Sequence, residues 1–281
     1  VDDGSTDNSS QIIKQLESNC DKLKTITTKG LGLPAARNIA IKSTSCDFIA
    51  FLDGDDYWTE DKLKNQFIKI KNDLSVGLIY GDYWDFRKKD ASDAIYVAVK
   101  SLNKFYPNQL EEYFVKDAPI VPSTTICHKE IFENVGLFNE SIKGNEDTEF
   151  YLRVAEKWKL LHIPVAECYK RRRESQITHR LDKLYDDQTQ ISEIAISRNP
   201  QLEKFKKKRM SYRTLKVGLD CFILHKEKKT ALVYAINSLK FNFFNFRAWA
   251  LIIMIFIPYK ITMFLYNLTK NIFYKFRKKI N

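Results

Sequence analysis

Features that would place this chain in several common protein classes are missing from its sequence. Its five cysteines are scattered, odd in number and without any CxxC pair, which argues against both a disulfide scaffold and a zinc site. Gly30 and Gly32 match neither the GxGxxG pattern nor the Walker pattern, so neither kind of phosphate-binding loop is expected. There is no internal repeat and no low-complexity linker. The 281 residues therefore predict one large core with a smaller appended unit.

Acidic residues are absent from the last part of the chain. None follows Glu227, whereas ten lysines and arginines do, so the net charge of +11 is concentrated there. Residues 1–227 are almost neutral, with 36 basic and 35 acidic side chains. This asymmetry predicts contact with a polyanionic surface, either nucleic acid or anionic lipid.

Apolar residues dominate positions 248–268 in the same basic part. A helix of that length measures about 30 Å and could cross a bilayer, but Pro258 and Lys260 interrupt it near the middle. We therefore expect a helix or re-entrant hairpin that lies in the cytoplasmic interface of an anionic membrane, as a peripheral or monotopic segment. We expect no nucleic acid partner, because no recognised binding module accompanies the basic residues. The alternative is a buried C-terminal helix pair packed on the rest of the chain. The expected membrane anchors are Trp249, Tyr259, Tyr266 and the Lys275–Lys279 cluster.

The segment 48–58 is an apolar run that leads directly into three carboxylates. The run predicts a buried strand, and its polar end would lie at the carboxyl edge of a sheet, where open α/β folds bind ligands. On an extended backbone Asp53 and Asp55 point to the same side, and a divalent cation would relieve their repulsion. The alternative is an acidic loop that caps the helix expected from about Thr59, and for Asp56 we favour this capping role.

Three further segments accompany this stretch in a fixed order. They are 1–10 (VDDGSTDNSS), 29–38 (KGLGLPAARN) and 144–150 (GNEDTEF), and the first and last are acidic turns that enter helices. Together with 48–58 they resemble the family 2 glycosyltransferases of the GT-A fold, and the resemblance covers about residues 1–180. It implies an α/β fold with a mixed, mainly parallel sheet flanked by helices. It also implies a strand, a helix and most of a second strand upstream, so we expect the chain to be N-terminally truncated.

Strand and helix patterns alternate along this region, which also favours an α/β sheet. From about residue 176 the pattern is mainly helical. We expect three parts: a GT-A domain over 1–180, a helical extension over 181–245 and an apolar, basic, membrane-associating tail over 246–281.

The resemblance implies roles for individual residues. Asp2 and Asp3 would bind the base and ribose of a nucleotide sugar, and Asp53 would contact the ribose. Asp55 of the DXD-like triplet would bind Mn²⁺ or Mg²⁺ that bridges the two phosphates. Arg37 would offer a positive charge to the diphosphate.

The last acidic segment supplies the expected base. Asp147, in the ED-like pair, would take the proton of the acceptor hydroxyl, because inverting transfer needs one carboxylate on the acceptor side. A histidine that family members often carry after the last sheet strand has no counterpart here, and Arg173 would replace it as a phosphate cation. The QxxRW signature of processive synthases is absent as well, which favours the addition of a single sugar.

The predicted function is inverting, metal-dependent transfer of one sugar to a saccharide or lipid-linked acceptor in cell-surface polysaccharide biosynthesis. A uridine nucleotide is the donor that the resemblance favours. Two alternatives stay open: a non-catalytic, membrane-tethered saccharide- or nucleotide-binding domain, and a sugar-phosphate nucleotidyltransferase. The second normally has a glycine-rich, basic phosphate loop, and none is visible in this sequence.

Overall fold

The structure is a computed structural model of the 281-residue chain. It describes residues 1–99, 101, 108–116, 120–142, 144–172, 181–224, 226–259 and 261–262. The chain divides into two compact units, Val1–Pro200 and Gln201–Asn281. The expected domain bounds at 180 and 245 stay a prediction.

Six strands of the first unit form one sheet. They are β1 (Phe48–Ala50), β2 (Tyr57–Trp58), β3 (Val76–Phe86), β4 (Ile95–Val97), β5 (Ile126–His128) and β6 (Lys159–Arg171). The order across the sheet is β1-β5-β3-β6-β2, and β4 pairs with β3 outside this path. The long strand β3 lies in the middle of this order and is buried almost from end to end.

Seven helices accompany this sheet in the described part of the first unit. They are α1 (Ser9–Ser18), α2 (Leu33–Ser43), α3 (Lys62–Ile70), α4 (Asn108–Lys116), α5 (Glu130–Val135), α6 (Glu146–Lys157) and α7 (Leu181–Arg198). Helix α3 packs on β3 and β5. Phe138 and Phe132 both pack against Phe150 of α6, and their ring centroids lie 4.6 and 5.1 Å from that of Phe150. This aromatic layer fixes α6, the helix that begins with the ED-like pair.

The α/β class is confirmed, but the expectation of a mainly parallel sheet is wrong for the described strands. Among these, β3 and β6 pair in parallel, whereas β1–β5, β3–β5, β3–β4 and β2–β6 are antiparallel. Alternating strands and helices predict parallel pairs only where each connection crosses back over the sheet. Here β4 turns back beside β3, and β5 runs against both of its neighbours. Outside the named strands, Asp2 and Thr27 form an isolated parallel bridge.

The second unit is helical, as expected for this part of the chain. A 3₁₀ helix, Pro200–Phe205, ends in this unit and is followed by α8 (Lys206–Leu224), α9 (Lys228–Phe241) and α10 (Phe246–Phe256). Helices α8 and α9 pack along each other, and α10 packs on both. Small residues such as Ala231, Ala235 and Ala248 are fully buried and allow the close approach of these helices. No helix in the described ranges is both long and apolar enough to span a bilayer.

Candidate active site at the junction of the acidic segments

The three carboxylates of the acidic stretch lie in a tight turn between β1 and β2. The backbone N–H of Asp56 donates to the carbonyl of Asp53 at 3.0 Å and closes the turn. The backbone N–H of Asp53 donates to Ser123 Oγ at 3.1 Å. A side chain at Gly54 would meet no neighbouring atom within 4 Å, so the space beside the turn is open. The turn can therefore receive a ligand close to its backbone.

Arg37 of α2 connects this turn to the beginning of α6. Its Nη2 donates to Asp53 Oδ1 at 2.9 Å, and its Nη1 donates to Glu146 Oε1 at 2.8 Å. These residues are 16 and 109 positions away from Arg37 in the sequence. The guanidinium thus holds two acidic motifs together, and Glu146 is the residue immediately before the predicted base.

The surroundings of Arg37 keep its charge in place. The guanidinium carbon lies 5.9 Å from the ring centre of Phe51 and 5.6 Å from that of Phe138, so it is largely removed from water. Burial alone would lower the pKa of Arg37, but the two carboxylates outweigh this effect and raise it. Arg37 is therefore a permanent cation between two anions.

Asn38, the next residue of α2, fixes the segment that precedes α6. Its Nδ2 donates to the carbonyl of Phe138 at 2.9 Å and to Glu140 Oε1 at 2.8 Å. Its Oδ1 accepts from the backbone N–H of Phe138 at 2.9 Å. Two consecutive residues of one helix thus bind the acidic turn, the start of α6 and the loop between α5 and α6.

Asp147 lies in the first turn of α6 and is half-buried. Asn145 caps the helix start in a left-handed conformation, with φ of 62°. Asp147 Oδ1 accepts from the backbone N–H of Thr148 at 2.7 Å. One turn later, the pKa of Tyr151 is raised well above its usual range, first by burial and then by the negative charge of Asp147. A carboxylate at a helix N-terminus is stabilised as the anion, which is the form that accepts a proton.

Asp2 and Asp3 bind groups of their own turn and of the loop that precedes α2. Asp2 accepts from the Ser10 hydroxyl and from the backbone N–H of Ser5, which together lower its pKa to about 2. Asp3 accepts from the Thr28 hydroxyl and from the backbone N–H groups of Leu31 and Gly32. Their predicted contacts with a nucleotide stay a prediction.

Asp56 does not cap a helix, contrary to our expectation, because α3 begins only at Lys62. Its Oδ1 accepts instead from the backbone N–H of Arg171 at 2.8 Å, and Arg171 Nε reaches the carbonyl of Asp55 at 3.3 Å. The pKa of Asp56 is raised, mainly by burial and further by the charges of Asp53 and Asp55. Strand β6 thus binds the acidic turn from the side opposite to β1.

The buried side chain of Lys62 supports the acidic turn indirectly, through the segment that contains Ser123. Lys62 Nζ donates to the carbonyl of Thr125 at 2.8 Å and lies 4.1 Å from the ring centre of Trp58. Trp58 Nε1 donates to the carbonyl of Ser123 at 2.6 Å, and Gln66 Nε2 donates to that of Thr124 at 2.9 Å. These bonds fix the 3₁₀ turn Pro122–Thr124, whose Ser123 in turn binds Asp53.

Comparison with known proteins confirms the resemblance seen in the sequence. The sequence profile described as "Glycosyl transferase family 2" matches residues 1–136, just under half of the chain. The GT-A fold class is confirmed by solved structures. TarS 1–349 from S. aureus, in complex with UDP-GlcNAc, superposes with a TM-score of 0.57 at 20% identity, over 90% of this chain and 74% of that chain.

A second solved structure and two curated relatives agree with this assignment. The mannosyltransferase PcManGT from Pyrobaculum calidifontis, in complex with GDP-Man and Mn²⁺, gives a TM-score of 0.51 at 15% identity, over 92% of this chain and 71% of that chain. An uncharacterized glycosyltransferase of Rickettsia felis is 30% identical over 161 residues, which are 56% of this chain and 25% of the relative. The Escherichia coli UDP-Glc:alpha-D-GlcNAc-diphosphoundecaprenol beta-1,3-glucosyltransferase WfgD is 42% identical over 84 residues, 29% of this chain and 32% of the relative. The chain spans between 22% and 32% of the length of the first curated relatives.

The acidic turn of this glycosyltransferase domain suits a hard divalent cation. No group of three or more His, Cys, Asp or Glu side chains is placed to hold a metal within the described ranges. Magnesium is usually held by one or two carboxylates together with substrate phosphates. Asp53, Asp55 and Asp56 offer carboxylates that could be these protein ligands. Burial is the main cause of the raised pKa of Asp56, and the negative charges of Asp53 and Asp55 add a smaller repulsion that a cation would relieve.

Sequence reasoning identified some of the residues that the structure brings together and missed others. Arg37 and Asp53, both predicted, are in direct contact, and Glu146 joins them. Asn38, Ser123 and the buried Lys62 were not predicted. Two features could have indicated them: the Arg-Asn pair on the buried side of α2, and the one-turn spacing of Lys62 and Gln66 in α3. Arg173 lies outside the described residues, so its predicted role stays a prediction.

Proposed function

We propose that this chain transfers one sugar, with inversion, from a nucleotide-sugar donor to a hydroxyl of a saccharide or lipid-linked acceptor in cell-surface polysaccharide biosynthesis. The family match supports the transferase class. The main structural support is the double ion pair of Arg37, which links the acidic turn at Asp53 to the residue before Asp147. In this proposal the Arg37 guanidinium would hold the leaving-group side of the site at a constant distance from the acceptor side.

In the proposed reaction the acceptor oxygen attacks the anomeric carbon of the donor sugar. The bond from that carbon to the phosphate oxygen breaks, and the nucleoside diphosphate leaves with its electron pair. Asp147 takes the proton of the acceptor hydroxyl as the new glycosidic bond forms, which is the task of a general base. Its place beside Glu146, which Arg37 holds, would position that carboxylate before the acceptor binds.

The donor diphosphate would lie over the turn at Asp53–Asp56. Asp55 would hold Mn²⁺ or Mg²⁺, which would neutralise the charge of the departing diphosphate. The open space above Gly54 leaves room for the phosphates. We propose Asp2, Asp3 and Asp53 as the contacts for the nucleoside, and Arg37 and Arg173 as cations near the diphosphate. Both Nη atoms of Arg37 already donate to carboxylates, so its main role in donor binding would be to orient Asp53.

We propose a uridine nucleotide as the donor. UDP-GlcNAc is bound in the TarS structure, and the name of WfgD contains UDP-Glc. The name of WfgD also contains a diphosphoundecaprenol acceptor, which supports the lipid-linked alternative for the acceptor of this chain.

The proposed base is tested by the Asp147→Asn variant of the full chain. Transfer from UDP-sugars in the presence of Mn²⁺ should fall by about 10²–10⁴-fold, because the amide cannot accept the proton. Stabilisation of the variant by UDP in a thermal-shift assay should stay close to that of the unchanged protein. Glu133→Gln, at an exposed carboxylate of α5, is the matched control and should retain full activity.

Two results would contradict the assignment. Transfer by Asp147→Asn within a few-fold of the unchanged chain would exclude Asp147 as the base. Loss of UDP stabilisation together with loss of transfer would instead place Asp147 among the residues that bind the donor.

A further inference from the structure

Helix α10 of the second unit has two apolar faces, and among the described residues one of them is buried by packing while the other is exposed. Ala248, Leu251 and Ile255 are buried on one side, where α10 packs against α8 and α9. On the other side the large side chains lie three or four residues apart, so they form one stripe along the helix. The stripe consists of Phe246, Trp249, Ile253 and Phe256.

The turn before α10 extends this stripe with two further aromatic residues. Phe243 and Phe244 pack edge to face with ring centroids 5.8 Å apart, and Phe243 lies 5.4 Å from the ring of Trp249. Trp249 Nε1 donates to the carbonyl of Phe243 at 2.9 Å, which fixes the turn against the helix. We call these six residues, Phe243, Phe244, Phe246, Trp249, Ile253 and Phe256, the outer patch. Five of them are between 62% and 78% exposed, and Trp249 is 39% exposed.

The charged residues that flank the outer patch in the sequence are basic. Lys240 and Arg247 are exposed, and the sequence contains no acidic residue after Glu227. A second copy docked patch to patch would bring these like charges together. An anionic membrane meets both needs. Its acyl chains can bury the exposed aromatic side chains, and its negative headgroups attract the lysines and arginines.

We propose that the outer patch inserts into the surface of an anionic membrane, with α10 lying parallel to the bilayer. With 11 residues, α10 is only about 16 Å long, roughly half the thickness of the hydrocarbon core. Lys228 Nζ donates to the carbonyls of Ile255 and Ile257 at 2.7 and 3.3 Å, so the helix ends there against α9. This placement needs no assumption about the transferase reaction and would hold even if the proposed chemistry were wrong.

One of the anchors expected from the sequence is also bonded within the second unit. The Tyr259 hydroxyl donates to the carbonyl of Ile223 at 2.9 Å, and its half-buried ring packs on Phe222. The expected role of Tyr259 as a membrane anchor stays a prediction. Lys260, Tyr266 and the Lys275–Lys279 cluster lie outside the described residues. Phe243 and Phe244, which the sequence pattern did not single out, are more exposed than Tyr259 and join Trp249 in the outer patch.

Co-sedimentation of the full chain with lipid vesicles tests the proposal. The chain should bind vesicles of phosphatidylcholine mixed with phosphatidylglycerol, and binding to pure phosphatidylcholine should be much weaker. Phe244→Asp and Ile253→Asp should each reduce the partition coefficient by about tenfold or more, because a charge replaces an inserted apolar side chain. Val233→Asp is the matched control: Val233 is exposed on α9 outside the outer patch, and its replacement should leave binding unchanged.

Three outcomes would overturn the proposal. Equal binding of the unchanged chain and of both patch variants would move the lipid contact to another segment, such as residues 263–281. Absence of vesicle binding, together with a dimer that Ile253→Asp dissociates, would make a second copy the occupant of the patch. Equal binding to neutral and anionic vesicles would remove the role of charge. Transfer to a water-soluble acceptor, measured on the same variants, should be unchanged and separates this test from that of the transferase function.

Discussion

Replacement of Arg37 by methionine should strongly destabilise the first unit. Methionine keeps most of the apolar volume between Phe51 and Phe138 but removes the charge that two carboxylates share. The side chain of Glu146 is only 8% exposed, so without Arg37 it is a buried anion that lacks its cation. Breaking a buried pair by removing one partner costs about 3–5 kcal/mol.

The lower end of that range is the better estimate here. The side chain of Asp53 is 33% exposed, and water screens its charge when Arg37 is absent. Glu146 therefore accounts for most of the effect, and we predict a loss of about 3 kcal/mol at neutral pH. For a unit of this size such a loss lowers the melting temperature by about 6–12 °C.

Thermal and urea unfolding of the full chain, followed by tryptophan fluorescence, measure this effect. Arg37→Lys should be intermediate, because an ammonium group keeps the charge but lacks the two-pronged geometry. Arg87→Met, at an exposed arginine of the same unit, should change stability by less than about 0.5 kcal/mol. A loss below about 1 kcal/mol in Arg37→Met would refute the proposed link between the two acidic motifs.

Three further predictions concern the same unit. Burial lowers the pKa of Lys62 from 10.5 to about 8, so the folded state binds fewer protons than the unfolded state between these values. The free energy of unfolding of the unchanged chain, relative to that of Lys62→Met, should therefore rise by about 3 kcal/mol from pH 8 to 10.5. If urea unfolding gave the same pH dependence for both proteins, this prediction would be contradicted. Asn38→Ala leaves the backbone groups of Phe138 without their side-chain partner and should cost about 1–3 kcal/mol; an unchanged urea midpoint would refute it. Asp55→Asn should weaken activation by Mn²⁺ in a metal titration of transfer, and an unaltered titration curve would remove Asp55 from the metal site.

Local patterns in the sequence predicted much of the fold. The alternating pattern of residues 76–86 predicts a strand, and β3 occupies these residues, Val76–Phe86. Helix α6 follows the acidic ED-like pair, as the preference for carboxylates in a first turn predicts. The direction of strand pairing could not be predicted in the same way. It depends on where each connection returns to the sheet, and no local pattern contains that information.

The candidate site shows the same limit. The carboxylates were found because each one lies in a recognisable acidic segment. The bonds that organise them join residues such as Arg37 and Glu146, which are 109 positions apart. Asp56 was expected to cap a helix because a helical pattern follows it, yet Arg171 of the distant strand β6 binds it. Lys62 was overlooked because a lysine in a helix is normally exposed, and its burial becomes visible only with the strands above it.

The most direct test of the proposed function is an NMR measurement of transfer by the full chain. It would be incubated with UDP-sugars, Mn²⁺ and saccharide or lipid-linked acceptors, and the anomeric proton of the product would be followed from the first turnover. We predict a single added sugar whose anomeric configuration is opposite to that of the donor, formed only when the cation is present. A product that keeps the donor configuration, or transfer that proceeds equally well in EDTA, would contradict inverting, metal-dependent transfer with Asp147 as the base.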